Sequence, residues 1–137
     1  MASGKHAEIT DLIIKAFYVV YNTLGYGFAE KVYKNALMME LRAMGLAVEV
    51  EYPITVYYKG QPVGVFAADL FVADCIIVEL KAIKELIDEN EAQLLNYLRA
   101  TMNEVGLLLN FGPEPQIKRK SYDNTRKGTL SWIKKSV

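Results

Sequence analysis

The 137-residue chain has one cysteine (Cys75) and one histidine (His6), and each scarcity removes a class of chemistry. Two such side chains cannot supply the four ligands of a tetrahedral zinc site. His6 lies near the start of the chain, so a Cys-His or Ser-His nucleophilic pair is not expected either. Cys75 is expected as a small buried or turn residue. A single thiol makes a reducing cytoplasm the expected compartment. No apolar run approaches the roughly 20 residues of a membrane helix, so no membrane partner is expected. A basic segment followed by an apolar one does not open the chain, and a secretory signal is not expected. There is no excess charge of either sign, with 16 basic and 16 acidic residues.

What is present is apolar. At 52% hydrophobic residues the chain can build a real core, and it reads as one domain over residues 1–137. The charge that cancels overall is unevenly placed. From Gln116 onward seven basic residues face one acid, Asp123, giving +6, while the preceding body has 9 basic and 15 acidic residues, giving −6. A basic tail from about residue 123 either contacts a polyanion or simply balances the acidic body in solvent.

Apolar residues at helical spacing (Ile9, Leu12, Ile13, Ala16, Phe17, Val20) predict a helix over 7–22, ended by the glycines of Gly25-Tyr26-Gly27. A second helix is expected over 28–44, stopped by Gly45, with Glu30 in its first turn, where the helix dipole favours an acid without any function. Alternation over 47–58 predicts a strand, and Pro53 marks an edge or a bulge. A third helix is expected over 91–102. Residues 106–112 read as a central strand covered on both faces, and 117–122 as an edge strand. An irregular or short helical tail holding Trp132 follows. A helix between strands implies a mixed sheet of about four to five strands flanked by three helices, an α/β fold.

The most informative segment runs from Val63 to Ala82. Two apolar strands surround a short turn, with Leu70, Val72, Ile76 and Val78 directed to a core and Asp69, Glu79 and Lys81 on the other parity. If the turn has an odd number of residues, for instance Ala73-Asp74-Cys75, Asp69 faces Glu79 at roughly 5 Å between Cβ atoms. An even turn would put the two acids on opposite faces. Two facing carboxylates repel unless a cation lies between them, and with the Lys81 ammonium alongside they form a hard-oxygen site suited to Mg²⁺ or Mn²⁺. Solvated Glu and Lys on an exposed strand are the plainer alternative. The apolar flanks favour burial, and buried charges are paired or metal-bound.

The pattern Asp69, then Glu79-Leu80-Lys81 on a hairpin, followed by a helix and a crossover strand, resembles the PD-(D/E)xK nuclease superfamily with its restriction-endonuclease-like core. Gly27-x-x-Glu30-x-x-Tyr33, Ala92-Gln93-x-x-x-Tyr97-Leu98 and Gly106-Leu107-Leu108-x-Asn110-Phe111-Gly112 add a resemblance to the GxxExxY family within it, over about residues 10–119. The resemblance implies that Asp69, Glu79 and Glu30 hold the metal. It gives Lys81 the task of polarising the attacking water, and makes Gln93, Tyr97 and Tyr33 substrate-side residues. The chain departs from the pattern at Ala68, where Pro is usual, and at Ala67, where Arg is frequent.

Two functions follow. One is a Mg²⁺- or Mn²⁺-dependent nuclease hydrolysing phosphodiester bonds of DNA, with Lys81, Glu79, Asp69 and Glu30 as its catalytic set and a homodimer as one way for a small domain to grip a duplex. The other is a non-catalytic module that keeps the fold and binds nucleic acid or protein through the basic tail and tyrosines.

Overall fold

The computed structural model describes residues 4–128. Its elements, in chain order, are α1 (Ala7–Leu24), α2 (Glu30–Ala43), β1 (Val48–Tyr58), β2 (Gln61–Val72), β3 (Ile76–Lys81), α3 (Asp88–Arg99), β4 (Val105–Phe111), β5 (Pro115–Ser121) and the 3₁₀ turn Asn124–Arg126. The five strands form one sheet in the order β1-β2-β3-β4-β5. All neighbours are antiparallel except β3 and β4, which run parallel because α3 carries the chain across between them. The expected α/β fold with a mixed sheet and three helices is therefore observed.

Each face of the sheet has its own core. Ile13, Phe17, Tyr33, Leu37 and Leu41 of α1 and α2 bury Leu70, Val78, Leu80, Leu107 and Leu109 on one side. On the other, Leu94, Tyr97 and Leu98 of α3 cover Ile77, Leu108 and Phe71. Covered twice, β4 is buried along its whole length, as a continuous apolar run requires. At Gly106 a Cβ would lie 2.7 Å from Leu94 Cδ1, so the bare backbone is what lets α3 approach. β1 is an edge strand, which accommodates Pro53.

Three sequence expectations change. α3 begins at Asp88, before the expected start, because Asn90 Oδ1 accepts the Ile87 N–H at 2.9 Å and acids fill the first turn. The odd positions of the hairpin are not one chemical face, since Phe71 and Ile77 are buried under α3. Lys118, Arg119 and Lys120 lie on β5, the expected edge strand, and Lys120 pairs with Glu91 at 2.5 Å. Of the basic residues that follow, one is neither solvated nor turned to a partner. Lys127 is buried, donating from Nζ to Thr101 O (2.7 Å), Asn103 O (2.9 Å) and Asn124 Oδ1 (2.6 Å), and burial pushes its pKa down. The segment around Trp132 lies outside the described residues.

Candidate active site

The hairpin turn is the odd one. Val72 pairs with Ile76, leaving Ala73-Asp74-Cys75 as the loop, with Ala73 and Asp74 at φ 53° and 56°. Cys75 sits half-buried in that turn, where burial raises its thiol pKa and disfavours the thiolate.

From this turn the β2–β3 ladder runs Val72↔Ile76, Phe71↔Ile77, Leu70↔Val78 and stops. Asp69 and Glu79, next along the two strands, bridge the gap with side chains. The Asp69 N–H donates to Glu79 Oε2 at 2.8 Å, and the Leu80 N–H donates to Asp69 Oδ2 at 2.8 Å. Each carboxylate thus replaces a backbone acceptor with one oxygen and keeps the other without a hydrogen-bond partner among the described residues.

On the far side of β2 the pairing is interrupted at the same level. The β1–β2 register passes from Val50↔Leu70 to Tyr52↔Ala68, skipping Glu51 and Asp69, and Glu51 is held at φ 55°. A non-glycine residue at positive φ inside a strand is a strained position. Beyond it the ribbon has turned over. Val48 and Leu70 belong to the core under α1 and α2, whereas Ile54 and Ala68, of the same parity, belong to the core under α3. Such irregularities re-aim side chains, and this one turns the outer β1–β2 arm toward α3 while leaving Asp69 at the break.

Glu79 is 6% exposed, and burial together with the Asp69 charge pushes its pKa from 4.5 up to about 8. Burial likewise raises Asp69, against the pull of the Leu80 N–H bond. Glu30 is raised by burial and then by the Asp69 charge. All three acids are therefore held short of positive charge, although Lys81, half-buried on β3, acts on each in the stabilising direction. Among the described residues no group of three or more His, Cys, Asp or Glu is gathered closely enough to hold an ion. Glu30 shares the field of the Asp69–Glu79 pair without joining it in a tight triad.

The Gly27-x-x-Glu30-x-x-Tyr33 spacing now has a physical account. Gly25 and Gly27 take φ 68° and 115°, bringing the chain sharply into α2, whose first residue is Glu30. One turn on, the Tyr33 hydroxyl donates to Gly25 O at 2.7 Å and accepts the Phe28 N–H at 3.2 Å. Tyr33 is completely buried and stacks on Phe111 with ring centroids 4.3 Å apart. The expectation that Tyr33 meets substrate is thus corrected: it ties down the loop that presents Glu30. Gln93 and Tyr97 stand together on α3, with the Gln93 Nε2 amide donating to Tyr97 Oη at 3.2 Å. Burial, then the charges of Glu79 and Asp69, raise the Tyr97 pKa, which puts its hydroxyl within the field of the carboxylate pair.

Two participants were not singled out from sequence. Lys34, one turn beyond Glu30, forms an ion pair with Glu51, and Asp69 and Glu30 add to the field that raises its pKa. The i, i+4 spacing of Glu30 and Lys34 was the available signal; nothing in the strand alternation marked the backbone turn at Glu51.

The family model described as the PD-(D/E)XK nuclease superfamily matches residues 7–120. No curated protein and no solved structure matches the chain significantly. The matched span includes Glu30, the broken hairpin with its Asp69 and Glu79-Leu80-Lys81, and both residues of the Gln93–Tyr97 pair. This chain belongs to the PD-(D/E)XK nuclease superfamily.

Proposed function

We propose that this protein is a nuclease of the GxxExxY branch that hydrolyses phosphodiester bonds of DNA with Mg²⁺ or Mn²⁺ held by Asp69 and Glu79. The observation that carries the reading is the broken hairpin, where the buried Glu79 and half-buried Asp69 carboxylates stand in for a backbone ladder, and burial pushes the Glu79 pKa up. That donor set fits a hard divalent cation: its oxygens are anionic, each acid has one oxygen to spare, and burial penalises their charge unless a cation offsets it.

The bound ion would supply Lewis acidity toward the phosphate and neutralise charge accumulating on it. The protein's own groups do the rest. Lys81, two residues from Glu79 on the same strand parity, brings an ammonium to the attacking water and the developing negative charge. Glu30, presented by the loop that Tyr33 fastens, would add a third carboxylate on the side of the pair. Gln93 and Tyr97 offer an amide and a hydroxyl to the nucleic-acid strand. Purified protein with Mn²⁺ is expected to nick or degrade DNA, and Glu79→Ala or Lys81→Ala to abolish this. Equal cleavage by those variants would overturn the reading, and DNA binding without turnover would assign a binding module instead.

A further inference from the structure

Between α3 and the outer arm of β1 and β2 lies a cleft of about 610 Å³, within the size range of small-ligand sites. Its arm side carries Phe66, which is 48% exposed. The ring lies along the strand because Gly64 leaves room for it: a Cβ there would come within 3.2 Å of Phe66 Cε2. The helix side offers Glu89, Gln93, Asn96 and Arg99, with Tyr97 between them, its ring centroid 6.0 Å from that of Phe66.

We propose that this cleft is a nucleobase subsite that receives an unpaired base of the strand being cut, making single-stranded DNA, flaps or frayed ends the preferred substrate. The inference rests on the nuclease reading above. Three observations support it. The cleft lies beside the carboxylate pair: Gln93 and Tyr97 line it, Tyr97 shares a core with Phe71 and Ile77, each two residues from an acid of the pair, and Tyr97 feels the charges of Glu79 and Asp69. Its lining suits a nucleobase: Val56, Phe66, Ala92 and Ala100 give apolar walls for the flat faces, while the two carboxamides pair a donor with an acceptor, as base edges do, the Glu89 carboxylate can accept from an exocyclic amine, and the Arg99 guanidinium suits a phosphate. A half-exposed flat ring offers stacking to any base, but only to a base whose own faces are not already covered by neighbours in a duplex.

The test uses short single-stranded DNA carrying 2-aminopurine at each position in turn, titrated with the full chain in EDTA so that no strand is cut. The wild type should quench fluorescence at one or two adjacent positions, and an abasic site there should weaken binding. Phe66→Ala should remove the quenching and weaken affinity about tenfold, while Phe66→Trp restores both and a melting curve shows Phe66→Ala folded. Unchanged quenching and affinity in Phe66→Ala, or a blunt duplex bound as tightly as the single strand, would overturn the subsite. Mn²⁺-dependent cleavage measured in parallel separates the two readings. DNA cut with no dependence on any single base removes the subsite alone, whereas neither binding nor cleavage removes both.

Discussion

Glu79 and Asn110 are polar side chains buried on neighbouring parallel strands, and their surroundings could hardly differ more. Asn110 is completely buried yet fully partnered: its Oδ1 accepts the Ile83 N–H at 3.0 Å, and its Nδ2 donates to Ile83 O at 3.0 Å and Gln116 Oε1 at 2.9 Å. Gly112 makes room for this knot, since a Cβ there would sit 2.3 Å from Ile83 O. Glu79 has one backbone donor, a second carboxylate beside it and a pKa raised to about 8. A neutral, satisfied group locks the chain as it leaves β3. An under-compensated acid in this setting is a candidate functional group. Burial of a polar residue therefore says little about its role until its partners are counted.

Substitution should split the two regions cleanly. Glu79→Ala and Lys81→Ala are expected to lower Mn²⁺-dependent cleavage by about 10²–10³-fold, with circular dichroism unchanged. Asn110→Ala is expected to do the reverse. It strands the Ile83 amide and carbonyl in the interior, so denaturant unfolding should show a loss of about 2–3 kcal/mol, with cleavage per folded molecule near wild type. Asn110→Ala protein that folds stably but cannot cut would break the distinction.

The pH dependence of stability sharpens it. Folded Glu79 keeps its proton to about pH 8, whereas the unfolded chain releases it near 4.5. Between those values the native state binds more protons, so stability of the metal-free protein should fall as pH rises through that window. The raised Asp69 and Glu30 act in the same sense. Thermal unfolding across pH 5–8 should show this slope, Glu79→Gln should flatten it, and Asn110→Ala should lower the curve without changing its slope. The smallest effect belongs to Tyr33→Phe, which removes two hydroxyl bonds to the loop before Glu30 and should lower stability by about 1 kcal/mol.

The sheet was legible because its strongest signals are periodic. The apolar run at β4 and the glycines before α2 each state a local preference that tertiary packing does not oppose, whereas the alternation of β1 reveals the strand but not its faces, since Val48 and Ile54 lie in different cores. The facing of Asp69 and Glu79 depended on turn parity, which the sequence leaves open and the left-handed Ala73 and Asp74 decide. Tyr33 was misassigned because a motif tyrosine reads alike whether it meets substrate or seals a loop; only burial distinguishes them. The positive φ of Glu51, at the level where the ribbon turns over, left no mark on the residue pattern. The basic segment misled for a related reason: composition cannot reveal that Lys127 is drawn inward by three oxygens.

Calorimetric titration of the wild type with Mn²⁺ at pH 7, repeated in buffers of different ionisation enthalpy, addresses the carboxylate pair directly. A Glu79 that is protonated at this pH must release its proton to the buffer as the ion binds. The account therefore predicts a binding enthalpy that varies with the buffer in the wild type, and loss of the binding in Glu79→Gln. Absence of binding in the wild type, or binding in Glu79→Gln with the same affinity and the same buffer dependence, would contradict it.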